Sequence, residues 1–248
     1  MYRRPSGYGW NALTKNQKTG VILVAAFIIL GMALVGSSPL GRLGDPTWIL
    51  AAAAIVFIAF PIHEMAHAAA AVALGDPTPR QQGRFTFNPL AHIDPFGAIL
   101  IFLTGFGWAK PVMWNPRNIN MDVRLGSILV SLAGPVSNLV LAALLILSLN
   151  ALPALDEIIP RSILGFYANF VQSFIYINVL LFVFNLIPIP PLDGSHILFA
   201  LLPGNTFDLQ MQLSRYGFLL LFLVIFFAPA IIVVPVQEIT QAMFNILL

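Results

Sequence analysis

The chain has 248 residues, of which 58% are hydrophobic and 9% charged; an average soluble domain carries about 25% charged residues. With a mean hydropathy of +0.87, the composition excludes an ordinary water-soluble domain and points to a lipid bilayer as solvent. The net charge of +2 comes from scattered Lys and Arg without an aromatic-interleaved basic patch, so nucleic acid is not an expected partner. Cysteine is absent, which excludes disulfides and thiolate metal ligands and leaves His, Asp and Glu for any metal.

Residues 1–19 read as a cytoplasmic N-terminal segment carrying Arg3, Arg4, Lys15 and Lys18. The apolar run 20–36 follows. It is longer than a usual signal-peptide core and more apolar runs come after it, so a retained first span is expected rather than a cleaved leader. Further spans are expected at 47–74, 126–149, 166–187 and 215–235. Each should be helical, because backbone groups in lipid must pair within their own segment. The core is thus expected over 20–235, with 236–248 as a short C-terminal tail, an interfacial helix at most.

Between the second and third spans, 75–125 is rich in Gly, Pro, Asn and Asp. Within it Phe96–Phe106 is apolar but too short to cross a bilayer, and reads as re-entrant or interfacial. Phe85-Thr86-Phe87 alternates weakly, and with Trp108–Trp114 it reads as a pair of short strands, with an ordinary loop as the alternative. The expected fold is an all-α polytopic membrane protein of about five transmembrane helices, with a small re-entrant or β-hairpin element between the second and third.

Five spans with a cytoplasmic N-terminus put Arg80, Arg84, Lys110, Arg117, Arg124 and Arg215 on the cytoplasmic side with the four N-terminal cations, against Arg42 and Arg161 opposite. That bias fits the positive-inside rule. The same topology brings the lower end of the second span and the segment after the fourth to one membrane depth.

The second span carries His63-Glu64-Met65-Ala66-His67. Two histidines four apart project from one helix face, about 6 Å apart along the axis, so both imidazoles can reach one tetrahedral zinc while the adjacent Glu reaches the reacting water. Two helix-packing histidines are the bland alternative, but three ionisable groups within five residues of a span are costly in lipid. A catalytic zinc needs a third protein ligand and an open position. By placement Asp193 comes first, held at the Pro188-Ile189-Pro190-Pro191 helix break, although it also suits a helix N-cap. His196 and then His92 are its rivals.

The membrane-embedded His63-Glu64-x-x-His67, with Asn185-x-x-Pro188-x-Pro190-Pro191-Leu192-Asp193-Gly194 downstream, resembles the site-2 protease family of intramembrane zinc metalloproteases. Gly134-Pro135-x-x-Asn138 is similar to that family's third motif, and the stretch from Gly83 to Gly97 is similar to its short members. The resemblance covers roughly residues 47–205. It implies one Zn2+ per chain held by His63, His67 and Asp193, with Glu64 activating water and Asn138 steadying the substrate carbonyl or oxyanion. A packing contact, with Gly134 as the small partner, is the plainer role for Asn138. Asn185 reads as a partner for carbonyls freed at the helix break.

The resemblance implies hydrolysis of peptide bonds in the transmembrane segments of single-span membrane proteins, in a prokaryotic inner membrane, and the Lys and Arg bias puts the active-site side in the cytoplasm. No stretch has the length and composition of an added PDZ or CBS domain. An intramembrane metal-ion transporter using the same His/Asp site is the alternative from another class, and a non-catalytic membrane adaptor is a third. Glu64 argues against transport, since transit needs ligands but no water-activating base beside them.

Overall fold

Asp45 opens the first described helix in the computed structural model, which describes residues 44–104 and 107–248. The expected first span at 20–36 and the segment before it lie outside these residues. The Asp45 carboxylate accepts from the Thr47 amide (2.9 Å) and hydroxyl (2.7 Å), and Pro46 takes the first helical position, where no N–H is needed. The helix, α1, runs over Pro46–Ala73. Its 28 residues reach about 42 Å at 1.5 Å each, beyond the ~30 Å of a hydrocarbon core.

α1 is regular except at Ile55–Ala59, a π-helical turn in which the Phe60 amide reaches back to the Ile55 carbonyl. Pro61 explains its position: a proline cannot donate to the carbonyl four residues back and collides with it, and a wide turn relieves both faults. The halves on either side pack differently. Ala51, Ala52 and Ile55 lie in one apolar cluster with Phe174 and Ile177, whereas Ala71 clusters with Val130 and Ile119.

After α1 the chain makes a single helical turn at Thr78–Gln81 and a 3-10 turn at Pro89–Ala91, then forms α2 (Pro95–Thr104), too short to span. Among the described residues no strand forms, which corrects the expected strands at 85–87 and 108–114. Their hydrogen-bonding groups are committed elsewhere. Arg84 and Phe85 donate to the Pro79 carbonyl, and the Thr86 carbonyl accepts from buried His92. Lys110 donates to the His92 carbonyl, and Val112 to Glu64. The strap 108–120 is tied to the foot of α1 by Asp76. This fully buried carboxylate accepts from the Asn115 amide (2.6 Å), the Asn118 side chain (2.8 Å), and both the Thr78 hydroxyl (2.5 Å) and amide (3.0 Å).

Two long helices form the centre. α3 (Val123–Leu149) is N-capped by Asp122 and continues through Pro135; α4 (Arg161–Asn185) packs along it. The proline-rich segment 186–192 ends α4, and α5 (Asp193–Leu201) turns back against α3. The last expected span and tail divide differently from 215–235 and 236–248. The structure has α6 (Phe207–Phe227) and α7 (Ala230–Leu247), broken at Ala228-Pro229. Pro229 disfavours helical backbone at the residue before it, and Ala228 sits at φ −137, ψ 47. α6 and α7 close one lobe of the core through Leu221, Ile232 and Val236 against Ala142, Ile146 and Ile175. Among the described residues five helices, α1, α3, α4, α6 and α7, are long and apolar enough to cross a membrane.

Candidate metal centre

Below the π turn, α1 turns His63, Glu64 and His67 inward, each less than a tenth exposed. α3 supplies what holds the imidazoles. Asn138 Oδ1 lies 2.7 Å from His63 Nδ1, and the Val130 carbonyl 2.7 Å from His67 Nδ1. A backbone carbonyl can only accept, so His67 carries its proton on Nδ1 and presents the Nε2 lone pair, the arrangement a metal-binding histidine needs. The two Nε2 atoms stand 3.1 Å apart.

The third group comes from 126 residues further along the chain than His67, at the first residue of α5. Asp193 Oδ2 lies 3.3 Å from His63 Nε2 and 3.2 Å from His67 Nε2. The donor set fits a divalent cation on three counts. All three ligand atoms fall within 4.8 Å of one another. Asp193 Oδ2 is buried without a conventional hydrogen-bond partner. Gly134 leaves the space beside the imidazoles clear, since a Cβ there would sit 2.2 Å from His67 Nε2 and 2.7 Å from His63 Nε2. Two imidazoles and a carboxylate suit zinc and leave a fourth position open.

Glu64 is adjacent, and its Oε2 accepts from the Val112 amide of the strap at 2.7 Å. Gly194 seats α5: a Cβ there would meet the Leu186 carbonyl oxygen at 2.3 Å. Of the expected site residues, His63, His67 and Asp193 converge and Glu64 lies beside His63. The structure puts Asn138 behind His63, with its carbonyl oxygen on the imidazole and its NH2 on Asn178 at 3.1 Å. His196 and His92 do not join the group: His196 faces the Trp114 ring, and His92 braces the loop through Thr86. Asn185, the last residue of α4, donates to the Leu181 carbonyl one turn earlier in its own helix at 3.0 Å. Sequence reasoning passed over Asn178 and the Val130 carbonyl. A buried Asn in the apolar run of α4 was the only available signal for the first, and a backbone carbonyl leaves none.

Fold and site together define a polytopic membrane protein in which a His-Glu-x-x-His helix and a distant aspartate form a group able to hold a metal ion. Residues 51–226 match peptidase family M50, and the chain belongs to that family, the site-2 protease family. It is 42% identical over 174 residues to "Putative zinc metalloprotease YwhC" of Bacillus subtilis strain 168, covering 70% of this chain and 78% of that protein. It is 32% identical over 175 residues to the Mycolicibacterium smegmatis protein named "Putative zinc metalloprotease Rip2", covering 68% of this chain and 64% of that one. The Rip2 protein of Mycobacterium tuberculosis is 29% identical over 215 residues, covering 82% and 79% respectively. No solved structure matches. The transporter alternative gains no support from these relatives.

Proposed function

We propose that this chain is a zinc endopeptidase that cuts peptide bonds within the transmembrane segments of single-span proteins, with His63, His67 and Asp193 holding the metal and Glu64 as general base. One observation carries the reading: ligand atoms from two remote segments meet within 3.3 Å beside Glu64, in a chain whose helices are built for lipid. Zinc, when bound there, supplies Lewis-acid activation of water and of the scissile carbonyl. Glu64 takes a proton from the attacking water and returns it to the leaving nitrogen. The Val112 amide on Oε2 fixes the carboxylate and leaves Oε1 for that proton. Asn138 serves as a positioning residue for His63, because its amide already has partners on both sides.

In this reading α2 is the re-entrant element. Arg80, Arg84, Lys110 and Arg117 between α1 and α3, with Arg124 in the first turn of α3, mark the cytoplasmic side of a prokaryotic inner membrane. A substrate helix must unwind to expose a peptide bond, so helix-weakening residues near the cut favour cleavage. The test is Glu64→Gln in the purified full chain. Zinc content should stay that of the unaltered protein, while cleavage of a reconstituted transmembrane substrate falls by about 10²- to 10⁴-fold or more. Cleavage at an undiminished rate refutes the base assignment.

A further inference from the structure

A buried polar chain links three spans behind the metal centre. Asn178, two turns before the end of α4, and Asn138 on α3 are both fully buried. Asn178 Nδ2 donates to the Phe174 carbonyl one turn earlier in its own helix at 2.8 Å. Asn138 Nδ2 donates to Asn178 Oδ1 at 3.1 Å, and Asn138 Oδ1 faces His63 Nδ1 at 2.7 Å. The sense of every bond follows from its far end. The Phe174 carbonyl can only accept, so Asn178 must turn its NH2 toward it and its oxygen toward Asn138. Asn138 must then answer with its own NH2, which leaves its oxygen for His63. An oxygen that only accepts requires the proton on Nδ1, and His63 Nε2 is left with its lone pair toward Asp193 and His67.

We propose that Asn178 is a positioning residue for the metal centre, setting the tautomer of His63 through Asn138. The inference rests on the assignment of His63, His67 and Asp193 as zinc ligands. Without Asn178, the Asn138 amide has no fixed sense. Rotated by half a turn it would offer NH2 to His63, stabilise the Nε2–H tautomer and set a hydrogen where the cation must bind. His67 is not exposed to this fault, since the Val130 carbonyl cannot reverse. A plain packing role, in which buried amides hold membrane helices together, gives the chain no direction. The two accounts therefore separate experimentally.

Zinc affinity of the full-length chain in detergent, measured by competition with a chelator of known affinity, is the readout. Asn178→Leu should weaken zinc binding by about tenfold, the lower end of the effect of groups that orient metal ligands. Asn178→Asp should bind zinc nearly as the unaltered chain does. Buried in lipid it stays a neutral acid, whose O–H donates to the Phe174 carbonyl and whose C=O accepts from Asn138. Asn138→Asp should restore affinity to the Asn178→Leu chain, because a carboxylate ionised against the His63 imidazole has only acceptors to offer, whichever way it turns. Equal losses in the Leu and Asp variants at Asn178, or no rescue by Asn138→Asp, overturn the proposal in favour of packing. Should Asn178→Leu fail to fold, 15N spectra of the histidine-labelled apo chain decide: an Nε2–H tautomer at His63 overturns the relay. A His63→Ala/His67→Ala chain that keeps full zinc affinity sinks the ligand assignment itself. Loss of zinc there with none in Asn178→Leu sinks the relay alone.

Discussion

Gly134→Ala adds a single methyl group to α3, and helix propensity favours the change by about 1 kcal/mol. The site opposes it. The new Cβ would lie 2.2 Å from His67 Nε2, 2.6 Å from its Cε1 and 2.7 Å from His63 Nε2, where ordinary contact begins near 3.4 Å. The imidazoles or the helix must therefore give way by about 1.2 Å on the side of His67. Metal–ligand distances tolerate about 0.2 Å, and His67 is pinned from behind by the Val130 carbonyl at 2.7 Å, so it cannot retreat without losing that bond. The expected result is a folded chain whose purified form contains little zinc and has no protease activity. Metal analysis of the protein, with circular dichroism to establish helix content, measures both halves of the expectation. Stoichiometric zinc at undiminished affinity in this variant would refute the packing of α1 on α3 described above.

Four further outcomes can be checked. Asp193→Asn, which replaces an anionic ligand with a neutral one, should lose zinc under chelator competition, whereas His196→Ala should retain it; the reverse pattern would make His196 the third ligand. Gly194→Ala sets a Cβ against the Leu186 and Ile187 carbonyls, at 2.3 and 2.6 Å. Because backbone cannot move aside as a side chain can, both thermal stability and zinc content should fall, and a variant that keeps both contradicts the seating of α5. Asp76→Asn should destabilise the strap by about 1–3 kcal/mol through mismatched donors, seen as faster proteolysis of 108–120. Its pH dependence also has a fixed sign. Burial pushes the Asp76 carboxyl up, but the hydrogen bonds from Thr78, Asn115 and Asn118 outweigh it and hold the carboxyl below its ordinary value. The stabilisation is therefore complete above about pH 4 and disappears as pH falls further. The gap in melting temperature between the unaltered and Asp76→Asn chains should close over that acid range, and a gap that widens there would be contrary to the reasoning.

The candidate ligands were legible because metal chemistry needs particular side chains at a fixed helical spacing: His63 and His67 stand four residues apart with Glu64 between them, and a run of prolines leads into Asp193. The long spans were legible because lipid demands unbroken apolar helices. What remained hidden depends on contact between remote segments. Asn138 reads in sequence as a donor toward substrate, and only the Asn178 oxygen beside it shows why its NH2 turns away from the site. The two final helices blur into one run in sequence, since Pro229 breaks the backbone without lowering the hydropathy around it. Three alternating residues, Phe85-Thr86-Phe87, were too short a pattern to specify a strand against the loop bonds they make, from the Phe85 amide to the Pro79 carbonyl and from His92 to the Thr86 carbonyl.

The wide turn at Ile55–Ala59 stores about one surplus residue in a single revolution of α1. Phe57 and Ile58 face outward and should tolerate exchange, whereas Ile55, Val56 and Ala59 are buried and should not. Rewinding the turn regularly at full length would carry everything beyond it about 100° around the axis. Both imidazoles would then swing off α3 while the upper half stayed docked on α4. Removing one residue here lets the turn close with the imidazoles still on their own side of the axis, so single deletions in this stretch should be better tolerated than in the regular turns on either side.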